Sequence, residues 1–454
     1  MTNLGYTPEE AIAAIATPLA PGAIGVVRAS GKNCISLASK FFSRPKALLD
    51  APGYTMLHGW LRDAEGKNVD EVMLAVYRGP KSFTGEDMVE VFCHGGVAVV
   101  KSVHELFMQG GFRQAERGEF TFRAFINGKT DLTRAEAVKE IIDSKTNASR
   151  FRAAGRLSGS VYQQIESVKK QIVEALASIE VEIEYPEDEE TIADSFDASI
   201  LDDVAAKLET LVSSWKSERL YQDGLRLVLC GPVNAGKSSL FNVLLKEERA
   251  IVSDVAGTTR DWIEGWASFE GLPVRLFDTA GLRTTTDSVE AAGIERTKDI
   301  TEDADVILYV ADSLVGLDEE DNKFILNAKV PVIKVWNKCD MAGLPPPSDA
   351  LAVSTKTGSG IDALVRAVVK AAGVTEGTSA KDAESGLGSE RQKQAVEEAL
   401  GRVRHALEVS AASYSLDAVV QDLEDSLDSL GEITGSVVPD DILETVFANF
   451  CVGK

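Results

Sequence analysis

Gly231-Pro-Val-Asn-Ala-Gly236-Lys237-Ser238 decides the reading of this chain. It fits G-x-x-x-x-G-K-[ST], directly after the apolar run Leu225 to Leu229 and before the helical run Ser239 to Leu245. Glycines let backbone N–H groups close around phosphate oxygens at a helix N-terminus. Asn234, Ala235, Gly236, Lys237, Ser238 and Ser239 would form that cradle. Lys237 supplies a point charge to the β and γ phosphates, and the Ser238 hydroxyl is a Mg²⁺ ligand. A Gly-rich turn with an accidental Lys-Ser is the bland alternative, and the motifs downstream weigh against it.

Asp278-Thr279-Ala280-Gly281 follows another strand-like run, where the carboxylate can hold the Mg²⁺ shell through water and the glycine N–H can reach the γ-phosphate. Asn337-Lys338-Cys339-Asp340 ends a further run. A carboxylate at Asp340 can accept from both N1–H and the 2-amino group of guanine. Adenine would leave it unpaired, a mismatch worth about 10⁴ or more in comparable sites. Ser354-Thr355-Lys356 follows one more strand-like stretch, placed to give backbone donors to the guanine O6. All four elements in order point to GTP and to an acid-anhydride hydrolase.

Between the first two phosphate motifs lies Gly257-Thr258-Thr259-Arg-Asp261, where a switch loop belongs. A hydroxyl there, with Thr259 as Mg²⁺ ligand, can sense the γ-phosphate; an ordinary Gly-Thr turn is the alternative. Leu282 stands where Ras-like enzymes carry a water-orienting Gln, and leucine cannot do that work. Glu290 is a downstream polar candidate, although a glutamate at such a position is more often a solvated surface residue.

Outward from the G motifs, the compact apolar runs Leu225 to Leu229, Val274 to Phe277, Val306 to Val310 and Val332 to Val335 alternate with helical lengths, the mark of a parallel sheet. Upstream, Ile200, Val204, Leu208, Leu211 and Trp215 line one face of a long helix. Glu180 to Glu190 holds seven carboxylates in eleven residues, read as a solvated helix end and loop rather than a metal site. Downstream, Ala371 to Ser389 reads as a linker, and helix returns with Val396, Leu400, Val403 and Leu407, then Leu416, Val420, Leu423, Leu427 and Leu430. Residues 1–120 mix helix with strand-like runs at Ile12 to Thr17, Gly22 to Ala29, Glu71 to Tyr77 and Met88 to Cys93. The expected class is multidomain α/β and α+β: an N-terminal α+β domain (1–120), a discontinuous helical domain (121–221 and 373–454), and a Ras-like P-loop G domain (222–372) inserted in it.

The chain has 454 residues, 47 Lys plus Arg against 71 Asp plus Glu, and a net charge of −24. Such a charge disfavours nonspecific binding to nucleic acid or anionic membrane. Five cysteines without C-x-x-C spacing fit a reducing cytoplasm, and no apolar run reaches the length of a membrane span.

Three further segments carry a resemblance: Phe83-Thr-Gly-Glu-Asp87 with His94-Gly-Gly96, then Arg117-Gly-Glu-Phe-Thr-Phe-Arg-Ala-Phe-Ile-Asn-Gly-Lys129, then the ending Phe450-Cys-Val-Gly-Lys454. With the G motifs they resemble, end to end, the tRNA-modifying GTPase family MnmE, also called TrmE. Isoleucine is usual where this chain has Val452, and Arg-Pro is frequent where it has Pro232-Val233. The resemblance implies K⁺ as GTPase activator in place of an arginine finger, held by Asn234, Ser253, Val255 and Thr258, with Glu290 as the acid that orients water. It implies a tetrahydrofolate one-carbon donor (5,10-methylene or 5-formyl) on Arg28, Glu90 and Lys129 of the N-terminal domain, which also dimerises. It implies a tRNA-modifying role for Cys451, where the residue alone reads equally as a small buried hydrophobe. His94 is equivocal between a turn near ligand and a packed histidine.

A tRNA partner sits awkwardly with a charge of −24. Residues 101–170 carry 13 Lys/Arg against 8 Asp/Glu; Arg113, Arg117, Arg123, Arg150, Arg152 and Arg156 could form a phosphate-facing patch, although such a count is more often just an uneven surface. The family's FAD-containing partner, MnmG, shares the tRNA work, in a heterotetramer with the homodimer. The implied activity is installation of an aminomethyl or carboxymethylaminomethyl group on C5 of wobble uridine 34. The alternatives are a regulatory GTPase of ribosome assembly, which gives no reason for Arg28, Glu90, Lys129 and Cys451, and a membrane remodeller, for which no lipid-binding surface is found.

Overall fold

A computed structural model describes residues 10–184, 199–245, 263–278, 303–341, 343–374, 386–411 and 416–454. The chain divides into two compact units: Met1–Lys139 with Ile165–Lys169 and Gln421–Lys454, and Glu140–Gln164 with Lys170–Val420.

The first unit is built on a six-stranded sheet in the order β3-β4-β5-β2-β1-β6. Its strands are β1 (Ile12–Ile15), β2 (Ile24–Ser30), β3 (Thr55–Arg62), β4 (Asn68–Tyr77), β5 (Met88–His94) and β6 (Arg113–Gln114). The four expected runs are present as β1, β2, β4 and β5. The expectation did not include β3, an edge strand whose solvent-facing Met56 and Trp60 are apolar and mask its alternation, nor the two-residue β6. Period-2 alternation sends Val27, Ala29, Leu74, Val76, Val89 and Val91 to one face, where Val100, Val103 and Phe107 of helix Val97–Gln109 cover them. Ile12, Ala14 and Met88 gather with Phe120 in a separate cluster. Helices Glu119–Ile126 and Asp440–Ala448 are joined through Phe122, Phe447 and Phe450, rings that meet edge-on or tilted at 5.2 and 5.5 Å.

The second unit holds β7 (Leu225–Cys230), β8 (Ile263–Phe269), β9 (Leu272–Asp278), β10 (Val306–Asp312), β11 (Val332–Asn337) and β12 (Ala350–Ala352). Their order is β12-β11-β10-β7-β9-β8, and every neighbouring pair is parallel except the β8–β9 hairpin. Leu225, Leu227 and Leu229 of β7 point to one core and Val228 and Cys230 to another. Burial on both faces is why these strands read as unbroken apolar runs, and helices Lys237–Leu245 and Ile361–Ala371 cover one side. The long helix read from Ile200 to Trp215 is Ser199–Asp223, with Val204, Leu208 and Leu211 buried; it packs along Glu390–Ala411. Of the expected linker, residues 375–385 lie outside the described residues.

The expected arginine patch does not form. Arg123, Arg152 and Arg156 are buried, and carboxylates take their charge: Arg156 pairs with Glu140 at 2.6 Å and Glu218 at 2.8 Å, and Arg152 also holds Glu218. Arg113 pairs with Glu10 and Glu119. Only Arg117 and Arg150 of the six are exposed. A local charge count cannot separate an exposed basic face from cations buried against acids, since burial requires that pairing.

Candidate functional site

Parallel strands deliver their C-terminal ends to one edge, and the G motifs sit there. β7 runs into the phosphate loop at Gly231, β9 ends on Asp278, β10 on Asp312, β11 on Asn337, and Ser354 follows β12. A cleft of about 930 Å³ opens at this edge, lined among others by Gly231, Asn234, Lys237, Ser238, Tyr309 and Lys338.

The loop turns through left-handed backbone at Asn234 (φ 64°) and Gly236 (φ 96°). A Cβ at Gly236 would stand 2.2 Å from Asn337 Nδ2, so glycine is required by contact as well as by φ. Lys237 Nζ donates to the carbonyls of Gly231 and Pro232, both at 2.8 Å, which keeps its charge inside the loop. Ser238 Oγ donates to Asp278 Oδ2 at 2.7 Å. A hydroxyl and a carboxylate meeting at that range, at a helix N-terminus, form a donor set of the hard-oxygen type that Mg²⁺ takes.

The Asn337–Asp340 motif is tied to the Gly231–Ser238 loop. Asn337 is fully buried; its Nδ2 donates to Ala235 O at 2.9 Å, and its Oδ1 accepts from the Lys338 amide at 2.8 Å and the Thr355 amide at 3.4 Å. Lys338 lies across the loop, Nζ donating to Asn234 O at 2.8 Å and to Asp312 Oδ2 at 2.6 Å. Burial would raise the Asp312 carboxyl, but the hydrogen bond and charge of Lys338 hold it below the usual range. Ser354 Oγ donates to Asp340 Oδ1 at 2.7 Å and orients an otherwise exposed carboxylate. The sequence reading missed Asp312, whose signal was a lone carboxylate ending an apolar strand. Ser253, Val255, Thr258, Thr259, Thr279, Ala280, Gly281 and Glu290 lie outside the described residues.

The first unit brings two of its three expected ligand residues together. Arg28 on β2 is directly opposite Glu90 on β5, and its Nε and Nη2 both reach Glu90 Oε1 at 2.7 Å. Tyr77 OH donates to Glu90 Oε2 at 3.1 Å, with its phenol pKa raised by burial and by that carboxylate. The Arg28 guanidinium carbon lies 5.6 Å from the Phe83 ring centroid and 5.7 Å from that of Phe120. Its Nη1 donates to Gly453 O at 3.3 Å, bringing the C-terminal segment to the pair. Gly453 is left-handed (φ 94°), and a Cβ there would meet Ile15 O at 2.7 Å. The segment is fixed further by a bridge between Arg117 and Val452 and by Phe120 N donating to Lys454 O at 3.2 Å. Burial, then the charge of Arg28, lowers the Lys454 ammonium pKa.

Lys129 does not join the pair: its Nζ donates to Pro80 O at 3.0 Å, and it makes no hydrogen bond or ion pair with Arg28 or Glu90 among the described residues. Cys451 is exposed, which removes the buried-hydrophobe alternative. His94 is exposed too and bonds Asp70 at 2.8 Å, so it is no packed histidine. Among the described residues no helix is long and apolar enough to cross a membrane.

A G-x-x-x-x-G-K-S loop, a Ser–Asp pair and the Asn337–Asp340 motif on the carboxyl edge of a mostly parallel sheet define a P-loop GTPase. Residues 11–129 match the family model for the GTP-binding protein TrmE N-terminus, and residues 132–451 match that for the MnmE helical domain. The chain is 49% identical to a tRNA modification GTPase MnmE of Treponema denticola over 99% of both chains. It is 41% identical to that of Borrelia turicatae over 100% of both, and 40% identical to that of Carboxydothermus hydrogenoformans over 98% of this chain and all of the relative. The chain belongs to the MnmE family.

Proposed function

We propose that this GTPase works in tRNA wobble-uridine modification, as the names of its relatives indicate. With an FAD-containing partner of the MnmG type it would place an aminomethyl or carboxymethylaminomethyl group on C5 of uridine 34. The flavin would carry the redox chemistry on the partner. The observation that supports a site beyond the G motifs is the Arg28–Glu90 pair, stacked with Phe83 and Phe120 and touched by Gly453. A pterin presents an N3–H and 2-amino edge suited to a carboxylate such as Glu90, flat faces suited to rings, and a glutamate tail suited to cations. These residue types fit a tetrahydrofolate derivative, which would supply the one-carbon unit. Lys129 would have to leave Pro80 to reach the same ligand.

In the G domain (222–372), inserted between helical segments 121–221 and 373–454, Lys237 would neutralise phosphate charge and Ser238 with Asp278 would hold Mg²⁺. A K⁺ ion beside Asn234 would stabilise the charge that an arginine finger meets elsewhere. Glu290 would orient water. The N-terminal domain, 1–120, would pair two chains constitutively, and the protein would act in the cytoplasm. GTP turnover in K⁺ and in Na⁺ tests the G-domain reading: a clear excess in K⁺ is expected, and equal rates would overturn it. Titration of 5-formyltetrahydrofolate into wild type and Arg28→Ala tests the other site, where unchanged affinity in the variant would refute it.

A further inference from the structure

We propose that Arg123 is a positioning residue of the N-terminal site, a buried clamp that sets the two rings beside Arg28. Its ligand rests on the folate reading above; its geometry does not.

The Arg123 side chain is 0% exposed and reaches two carboxylates on two different segments. Its Nη1 donates to Glu86 Oε1 and Oε2 at 3.2 and 3.0 Å, and its Nη2 donates to Glu119 Oε1 at 2.8 Å. Glu86 belongs to the loop that carries Phe83, and Glu119 immediately precedes Phe120. Those are the two rings whose centroids lie 5.6 and 5.7 Å from the Arg28 guanidinium carbon. The clamp also grips the strand that bears Arg28: Ser30, two residues on and so on the same face of β2, donates to Glu86 Oε2 at 2.8 Å and shares a 2.7 Å hydrogen bond with Thr84. Thr84 is held in turn, since Asn127 Nδ2 donates to its carbonyl at 2.7 Å. Glu119 is fixed from its other side by Arg113 and by the Glu116 amide at 2.9 Å.

A planar fork can bridge two carboxylates in fixed directions, and a lysine ammonium on a flexible stem cannot. Stability alone would not require this arrangement, because apolar side chains of similar volume often replace buried ionic groups without loss. Direction is what the ionic version supplies, and a binding group is only as well placed as the groups behind it. Arg123 holds Glu86 and Glu119, the neighbours in sequence of Phe83 and Phe120, and acts through those two rings.

The test uses the full-length protein and 5-formyltetrahydrofolate as probe, by titration calorimetry, with circular dichroism to confirm folding. Arg123→Lys is expected to weaken binding by about 10- to 100-fold, as removal of outer partners of binding groups does. The double variant with Arg28→Ala should lose less affinity than the two single losses combined, because the rings that Arg123 sets hold Arg28 as well as the ligand. Wild-type affinity in a folded Arg123→Lys protein, or losses that add in the double variant, would overturn the proposal. Arg123→Met, of similar length and without charge, serves the same cycle if the lysine variant does not fold. If wild type itself binds no folate, the folate reading fails, and a crystal structure of Arg123→Lys decides the clamp. Rings displaced from Arg28 support it; both rings still about 6 Å from the guanidinium overturn it.

Discussion

The two sites of this molecule are built in opposite ways. The nucleotide site is made of short contiguous motifs at strand ends, and side chains of these motifs donate to backbone carbonyls of one loop. The N-terminal site is assembled from side chains far apart in sequence: Arg28 meets Glu90 at a separation of 62 residues and Gly453 at 425. Contiguous motifs tolerate little change and announce themselves. A dispersed site depends on strand register and on a chain end returning to the sheet, neither of which leaves a local pattern.

The sharpest way to break that contrast is at Asp340. Asp340→Asn would set an amino group against the guanine 2-amino edge, so GTP affinity should fall by about 10³ to 10⁴. Xanthosine triphosphate should bind in its place, as a competition assay would show. Retained GTP preference would mean that the Asn337 to Asp340 motif does not read the base.

Next in size is Glu119→Gln. Burial alone would raise the Glu119 carboxyl, but hydrogen bonds from Arg113 and the Glu116 amide and the charge of Arg123 hold it below the ordinary carboxylate range. Unfolding returns it to the ordinary value, so its stabilisation is full above that range and is lost as pH falls through the folded value. Wild type should exceed the variant by about 3 kcal/mol at neutral pH. Denaturant unfolding at a series of pH values should show the gap shrinking below about pH 4.

Gly236→Ala probes the tie between the two nucleotide loops. The added methyl must displace Asn337 Nδ2 from Ala235 O, and nucleotide affinity should drop by about 10² while the sheet stays folded. The smallest effect is expected at Gly453→Ala. Strain at a left-handed position costs about 1–3 kcal/mol. That should loosen the tail from Arg28 and weaken folate binding by about 10-fold, leaving Asp340-dependent base selection intact.

Much of the second unit was legible because strands buried on both faces read as apolar runs and end where the motifs begin. Asp312 was not, since a single carboxylate after a strand has many uses. In the first unit, β3 escaped because an edge strand with exposed Met56 and Trp60 shows no clean alternation. Arg28 and Glu90 came only from resemblance, although their register pairing on β2 and β5 places them together. Tyr77, Phe83, Phe120 and Gly453 carried no signal of their place around Arg28, because a ring beside a cation is a tertiary fact. Arg123, Arg152 and Arg156 show the reverse error, a count of positive charge taken for surface when it neutralises buried acids.

One measurement bears most directly on the claim that the two sites serve one modification. Total tRNA from cells lacking the gene, digested and quantified by mass spectrometry, should have lost the C5-substituted wobble uridines. Wild type should restore them, and Arg28→Ala should not. An unchanged nucleoside profile in the deletion, or full restoration by Arg28→Ala, would contradict the account and leave a GTPase whose N-terminal site has another purpose.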